Sequence, residues 1–116
     1  MAKIARVGDK TIGSFSSDHC HHYDHDGDKI HTSGTVEGNI QSNGGTVYIE
    51  GIEVATAGSP VIETDIEDTG NGNIGPGSGE IYVNGKKIAK IGDLVISHTG
   101  KPATIIGNGP GSVDVS

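Results

Sequence analysis

The chain repeats one short pattern, whose clearest copy reads Ile81-Tyr82-Val83-Asn84-Gly85 followed by Ala89-Lys90-Ile91-Gly92-Asp93. The first half of this copy is matched 34 positions earlier by Val47-Tyr48-Ile49-Glu50-Gly51. A third copy, matching the second half, opens the chain as Ile4-Ala5-Arg6-Val7-Gly8-Asp9. A recurring pattern of this kind indicates one supersecondary unit that is copied and stacked, each copy being too small to bury its own apolar face.

The composition predicts one small repeat domain, residues 1–116, with a modest core. The chain of 116 residues contains 20 glycines, one phenylalanine, three tyrosines and no tryptophan. Its hydrophobic share is 32%, below the roughly 45–50% of ordinary globular chains, although that range also counts glycine. A chain of this size with few large apolar side chains usually needs a disulfide, a metal or a partner chain to be stable.

Charge and cysteine content narrow the possible functions. The formal net charge is −7 and the eight basic residues are scattered, so we expect no nucleic-acid partner, because such proteins carry a basic patch. The single cysteine, Cys20, excludes an internal disulfide. No apolar run reaches the roughly 18 residues of a membrane span, and the first residues lack the apolar stretch of a signal peptide. We expect the protein to be made in the cytoplasm.

Strand signals dominate the chain, and we predict an all-β fold. Thr46–Glu50 and Glu80–Asn84 are rich in the β-branched and aromatic residues that favour strands. The dipeptides Glu50-Gly51 and Asn84-Gly85 predict tight hairpin turns. No segment shows the 3.6-residue periodicity of a helix.

Two segments interrupt the repeat. Residues 14–30 form a polar insertion rich in histidine and aspartate. Residues 66–78 are rich in glycine and asparagine, which predicts a surface loop. Beyond the last copy, the tail from Thr104 to Val115 predicts a final, truncated pair of strands.

A histidine–cysteine cluster suggests a metal site. Residues 18–25 hold four of the six histidines and the only cysteine, and imidazole and thiolate are the ligands that zinc prefers, at about 2.0–2.3 Å. Alternate side chains of an extended segment point the same way, which groups Cys20 with His22 and His19 with His21. Two ligands from this segment and two distant ones would close a tetrahedral site that stabilises a core-poor domain. The alternative is a solvated polar loop.

Other chemistry has weaker support. The run Asp24-His25-Asp26-Gly27-Asp28 is similar to a calcium loop, but its glycine comes one position early and Thr35 stands where a bidentate glutamate belongs. Cys20 beside histidines suggests a nucleophile and its base, and an open zinc site could use Asp18, Asp24 or Asp26 as a base. No oxyanion-hole motif is present, and the glycine-rich stretches lack the lysine of a phosphate loop. We therefore expect no enzymatic activity.

The repeat resembles the PAAR-repeat family. Lys87-Ile88-Ala89-Lys90 and Lys3-Ile4-Ala5-Arg6 stand where that family has its Pro-Ala-Ala-Arg, and Gly92-Asp93 follows as in the family pattern. Gly58-Ser59-Pro60-Val61 is similar to the family's Gly-Ser-Pro element. The chain departs from the pattern by lacking the proline and by having Ala57-Gly58-Ser59 where Gly-Asp is expected.

The resemblance implies a small cone of β-hairpins with pseudo-threefold character and a metal near its point, usually zinc. His31 and His98 match the family's ligand positions, and Cys20 and His22 complete the set by the alternation argument alone. We expect zinc, with iron or another divalent ion as alternatives. Which of His19, His21, His22 and His25 takes part is open.

The resemblance also implies a structural, membrane-piercing spike tip of a contractile phage tail or a type VI secretion system. Such a monomer caps a trimeric β-helical spike, one copy per trimer, touches the target envelope transiently and can carry effector cargo. No effector domain is expected in this chain. The residues expected inside the domain or at its base are Val7, Val47, Ile49, Ile81, Val83 and Ile88. The alternative is a free-standing metal-binding or metal-dependent hydrolytic mini-domain.

Overall fold

The structure is a computed structural model that describes residues 3–17, 20, 22–30, 32–77, 80–107 and 113–114, with Lys3, Val113 and Asp114 described by their backbone alone. The described residues form short strands: β1 (Lys3–Ile4), β2 (Lys10–Phe15), β3 (Gly34–Ile40), β4 (Tyr48–Ile49), β5 (Ile52–Glu53), β6 (Pro60–Thr64), β7 (Thr69–Ile74), β8 (Tyr82–Val83), β9 (Lys86–Lys87), β10 (Leu94–Ile96), β11 (Pro102–Gly107) and β12 (Val113–Asp114). The predicted all-β fold is confirmed. In the part of the chain that is described, no helix is long and apolar enough to cross a membrane.

Six strands close into an antiparallel barrel in the order β10-β11-β2-β3-β6-β7, with β10 also paired to β7. The barrel consists of three hairpins, β2/β3, β6/β7 and β10/β11. All three turn at the same end, through residues 16–33, 65–68 and 97–101, and we call this the loop end. Side chains alternate between inside and outside along the strands. The inward residues that form the main core are Ile40, Val61, Ile74, Val95, Ala103 and Ile105.

Three two-stranded ribbons, β4/β5, β8/β9 and β1/β12, connect the barrel strands at the opposite end, which we call the ribbon end. At the predicted turns, Glu50 and Gly51 have φ angles of 54° and 80°, and Asn84 and Gly85 have 53° and 80°. Positive φ at both central residues is typical of type I′ hairpin turns, so both predicted turns are confirmed.

The tail does not form a strand pair of its own. β11 belongs to the barrel, whereas β12 pairs with β1 and joins the two ends of the chain. The prediction of a separate terminal pair is therefore wrong, because the third ribbon is divided between the beginning and the end of the sequence.

Ala5, Ala55 and Ala89 form a closed ring where the three copies of the repeat meet. The N–H of Ala5 donates to the carbonyl of Ala89 at 3.0 Å, that of Ala89 to Ala55 at 2.9 Å, and that of Ala55 to Ala5 at 2.9 Å. All three residues are fully buried. Each copy donates and accepts one bond in the same sense, so the ring is approximately threefold symmetric.

A tight turn follows the ring in each copy, over Arg6–Asp9, Thr56–Ser59 and Lys90–Asp93. The N–H of the first residue donates to the side-chain oxygen of the fourth, at 3.0, 3.0 and 2.7 Å respectively. The third residue is a glycine with φ between 84° and 97°, a conformation that other residues rarely adopt. Ser59 therefore replaces aspartate in the middle copy without loss of the turn.

The residues expected inside the domain or at its base fall into two groups. Val83 and Ile88 are buried in a second cluster under the ribbons with Ile4 and Val54, and Ile49 packs against it. Val7 is half-buried, whereas Val47 and Ile81 are exposed at the ribbon end.

The surface loop predicted for residues 66–78 is wrong over Thr69–Ile74, which form strand β7 of the barrel. The glycines that indicated a loop face large inward side chains. A Cβ at Gly72 would lie 2.8 Å from Glu63 Oε1, and one at Gly70 would lie 2.4 Å from the ring of His98. Glycine in a strand often marks such a close approach. The polar insertion likewise begins later than predicted, because residues 14–15 belong to β2.

Candidate metal centre

Glu63 projects from β6 into the barrel and is fully buried, with a relative exposure of 0%. Its Oε1 accepts hydrogen bonds from the Ser97 hydroxyl at 3.0 Å and the His98 backbone N–H at 2.7 Å, and lies 2.8 Å from His98 Nδ1. Its Oε2 has no hydrogen-bond partner within the described residues. A buried carboxylate needs such bonds to replace its hydration, so Glu63 fixes the start of the 97–101 loop.

His98 lies between Glu63 and the 65–68 loop. Its Nε2 is 3.0 Å from Asp68 Oδ1 and 3.3 Å from Asp65 Oδ2. The side chain is only 11% exposed. Burial disfavours the charged ring, but hydrogen bonds with Glu63 and Asp68 outweigh this effect and raise the pKa of His98 above its ordinary value of 6.5.

The 65–68 loop places its carboxylates by a local turn. Asp65 Oδ1 accepts the backbone N–H groups of Glu67 at 2.7 Å and Asp68 at 2.9 Å. Aspartate stabilises tight turns through such bonds to its own backbone. Because Oδ1 is used in this way, the other oxygen of Asp65 is the one that faces His98.

Asp65, Asp68 and His98 together could hold a metal ion. One ligand atom of each lies within 4.8 Å of the ligand atoms of the other two. The second ring nitrogen of His98 pairs with Glu63, as the second nitrogen of metal-binding histidines usually pairs with a carboxylate or carbonyl. The Asp65 carboxylate is buried, whereas the Asp68 side chain is 39% exposed, which leaves one side of the group open to solvent.

The predicted zinc ligands occupy different environments. Cys20 is buried, and its thiol donates to the His22 carbonyl at 3.4 Å. The His22 ring is exposed, and its Nδ1 lies 2.9 Å from the buried carboxylate of Glu67. The group of three described above contains neither residue, and His31 lies outside the described residues. The structure thus places His22 and His98 at the loop end, each against a carboxylate, and the four-ligand zinc site stays a prediction.

The calcium-like run forms a compact turn. Asp24 Oδ1 accepts the N–H groups of Asp26 at 2.9 Å and Asp28 at 3.0 Å. The Asp24 N–H donates to the Asp28 carbonyl at 2.8 Å, and Gly27 has a φ of 86°. One oxygen of Asp24 therefore accepts bonds from its own turn, which agrees with a carboxylate-rich turn.

Sequence reasoning missed the carboxylates of the candidate site. Residues 63–68 contain four of them, and this density was the available signal. The glycine-rich segment that follows outweighed it, because the carboxylates were taken as the beginning of a polar loop.

The three barrel hairpins, the three ribbons and the alanine ring define a small all-β domain built from one repeated unit. Residues 26–98, more than half of the chain, match the PAAR motif family. The chain belongs to this family, as the resemblance of its repeats indicated. No curated protein matches it significantly.

Proposed function

We propose that this protein is a structural tip that caps a trimeric β-helical spike, one copy per trimer, in a contractile phage tail or a type VI secretion system. The PAAR motif over residues 26–98 supports a spike-tip protein of contractile injection machines. The observation that carries the proposal is the closed ring of hydrogen bonds through Ala5, Ala55 and Ala89. A monomer with threefold pseudo-symmetry can present similar surfaces to all three chains of a symmetric trimer.

The ribbon end carries exposed apolar side chains at matching positions of two ribbons. Val47 and Tyr48 are 44% and 58% exposed, and their counterparts Ile81 and Tyr82 are 61% and 62% exposed. Recurrent exposed apolar groups mark interaction surfaces, and tyrosine is enriched in protein interfaces. We therefore assign the ribbon end to contact with the spike.

The loop end then points away from the spike and meets the target envelope transiently. We propose a divalent ion there, zinc first and iron or another ion as alternatives, with Cys20, His22, His31 and His98 as the ligand set that the family resemblance and alternation suggest. An ion that joins distant loops raises the free energy needed to open them. Its role in this proposal is structural, and the protein has no catalytic function.

The proposal extends to assembly. The chain is made in the cytoplasm as a monomer and is assembled at the tip of a phage tail or a secretion spike, with or without effector cargo. Apolar side chains exposed on the free monomer become buried by stacking onto the trimer, which supplies the driving force for assembly.

Native mass spectrometry of the chain mixed with the β-helical end of trimeric spike proteins tests this function. We expect one copy per trimer. The double variant Tyr48→Asp, Tyr82→Asp should weaken binding at least tenfold, because two apolar contacts are replaced by charges. Ile62→Asp is the matched control, since Ile62 is 44% exposed on the outer wall of the barrel and away from the ribbons. Three copies per trimer, or binding unaffected by the double variant, would contradict the proposal.

A further inference from the structure

We propose that Asp65, Asp68 and His98 form a divalent-cation site in which two carboxylates and one imidazole are the protein ligands and the thiol of Cys20 takes no part. This differs from the histidine–cysteine ligand set in both its donor atoms and its position in the sequence. The inference concerns the isolated chain and does not depend on the ribbon end binding a spike.

The distances between the ligand atoms are those of a shared coordination sphere. His98 Nε2 lies 3.0 Å from Asp68 Oδ1 and 3.3 Å from Asp65 Oδ2. Ligands at about 2.1 Å from one ion lie about 3.0 Å apart at a right angle and about 3.4 Å apart in a tetrahedron. These side chains therefore need little movement to bind an ion.

The hydrogen bonding of His98 requires a cation at Nε2. Its Nδ1 lies 2.8 Å from Glu63 Oε1, and an ionised carboxylate can only accept, so Nδ1 carries the hydrogen. In the neutral ring, Nε2 would then direct a lone pair at oxygens of Asp65 and Asp68. Either a proton on Nε2 or a metal ion bound to all three groups removes this repulsion.

The charge balance favours the metal ion over the proton. Three carboxylates, those of Glu63, Asp65 and Asp68, face the ring of His98. A protonated ring supplies one positive charge against them, whereas a divalent ion supplies two and keeps Nε2 as a ligand. The carboxylates of Glu63 and Asp65 are buried, and Glu63 Oε2 has no hydrogen-bond partner in the described chain. Uncompensated charge is most unfavourable in such surroundings.

The ligand chemistry selects a borderline ion such as Zn²⁺ or Mn²⁺. Carboxylates suit Mg²⁺, Ca²⁺ and Mn²⁺, whereas imidazole suits Zn²⁺, Fe²⁺ and Ni²⁺. The exposed side of Asp68 gives water access to the remaining coordination positions. The absence of sulfur from the ligand set gives the site a spectroscopic signature, because a cobalt–thiolate bond produces an intense charge-transfer band and carboxylate or imidazole ligands do not.

Calorimetric titration of the chelator-treated full chain with ZnCl₂ and with MnCl₂ tests the site. We expect one ion per chain, with binding weakened at least tenfold by Asp65→Asn and by Asp68→Asn and changed less than twofold by Cys20→Ser. Asparagine at position 65 keeps the Oδ1 acceptor of the turn, so the loop should retain its shape. Asp24→Asn is the matched control, because Asp24 Oδ1 also accepts two backbone N–H groups of its own turn. The Co²⁺ complex should lack a thiolate band.

Two results would overturn the inference. If the wild-type chain binds neither Zn²⁺ nor Mn²⁺, a proton on His98 is the cation that the carboxylates face. If Cys20→Ser loses the ion as strongly as the aspartate variants, or the Co²⁺ complex shows a thiolate band, the ion uses the histidine–cysteine ligands. Binding to a spike is measured separately, so failure of this site is distinguishable from failure of the proposed function.

Discussion

The ribbon end repeats one arrangement three times, whereas the loop end closes its three hairpins with three different loops. Around the alanine ring, each copy makes the same backbone bonds and the same side-chain-capped turn. At the loop end, the hairpins close through residues 16–33, 65–68 and 97–101, which share neither length nor composition. The difference teaches that the repeat specifies the scaffold through backbone geometry, and that residues outside the repeat supply the carboxylates, histidines and thiol.

The largest effect is expected from enlarging a side chain in the ring. Ala55→Val should lower the free energy of unfolding by about 3 kcal/mol, because overpacking a closed, fully buried site forces the three copies apart. Urea denaturation measures this change. Ala57→Val, at a half-buried position of the same copy, is the control and should change stability by less than about 1 kcal/mol. Equal effects of the two variants would show that the ring is not tightly packed.

The loop end should be separable from the ring by Gly70→Ala. The added Cβ would lie 2.4 Å from the His98 ring, so the ring must move away from the carboxylates, at a cost of about 2 kcal/mol. Differential scanning calorimetry measures the stability, and backbone NMR shifts show where the structure changes. Asn71→Ala, at the exposed next residue of β7, is the control. Shift changes that spread to Ala5, Ala55 and Ala89 would contradict the independence of the two ends.

The scaffold could be predicted because its signals are local. Glycines that must adopt positive φ, and β-branched runs on either side of Asn84-Gly85, specify turns and ribbons without knowledge of the tertiary structure. The strand β7 could not be predicted, since its glycines are explained only by Glu63 and His98 across the barrel. The bond from the His98 backbone to Glu63 spans 35 positions and belongs to no motif.

The candidate site was predictable only in part, for a related reason. His98 was expected at the metal site, and the structure places it in the metal-binding group. The grouping of Cys20 with His22 assumed an extended strand, and neither residue lies in a strand. Asp65 and Asp68 approach His98 because the barrel joins two hairpin loops that are distant in sequence, which no spacing rule reveals.

A smaller effect should show whether the three capped turns are equivalent. Asp9→Ala, Ser59→Ala and Asp93→Ala should each destabilise the fold by about 1 kcal/mol, because each removes the side-chain acceptor of one buried or half-buried backbone N–H. Ser59→Asp, which gives the middle copy the residue of the other two, should fold with nearly unchanged stability. Thermal unfolding measures the series, with the exposed Ser14→Ala as control. A loss confined to one copy would disprove the equivalence.

The smallest expected effect concerns Glu53, where the ribbon end departs from its own symmetry. In the register of the other ribbons, Lys87 and Lys3 occupy its position. Burial raises the pKa of Glu53, but hydrogen bonds from Ser42, Asn43 and the Gly45 backbone outweigh burial and hold the pKa below its ordinary 4.5. A lowered folded-state pKa contributes stability above pH 4.5 that is lost as the pH falls through the folded value.

Glu53→Gln should therefore cost about 1 kcal/mol at pH 7, and its stability should fall less steeply than that of the wild type below pH 4.5. Urea denaturation between pH 3 and pH 7, about the range in which carboxylates titrate, compares the two curves. Glu37→Gln, at an exposed position of β3, is the control and should follow the wild type. Parallel curves for wild type and Glu53→Gln would show that the ionised carboxylate adds nothing. The threefold scaffold would then be stable without this copy-specific contact, and the asymmetry that matters would be confined to the loop end.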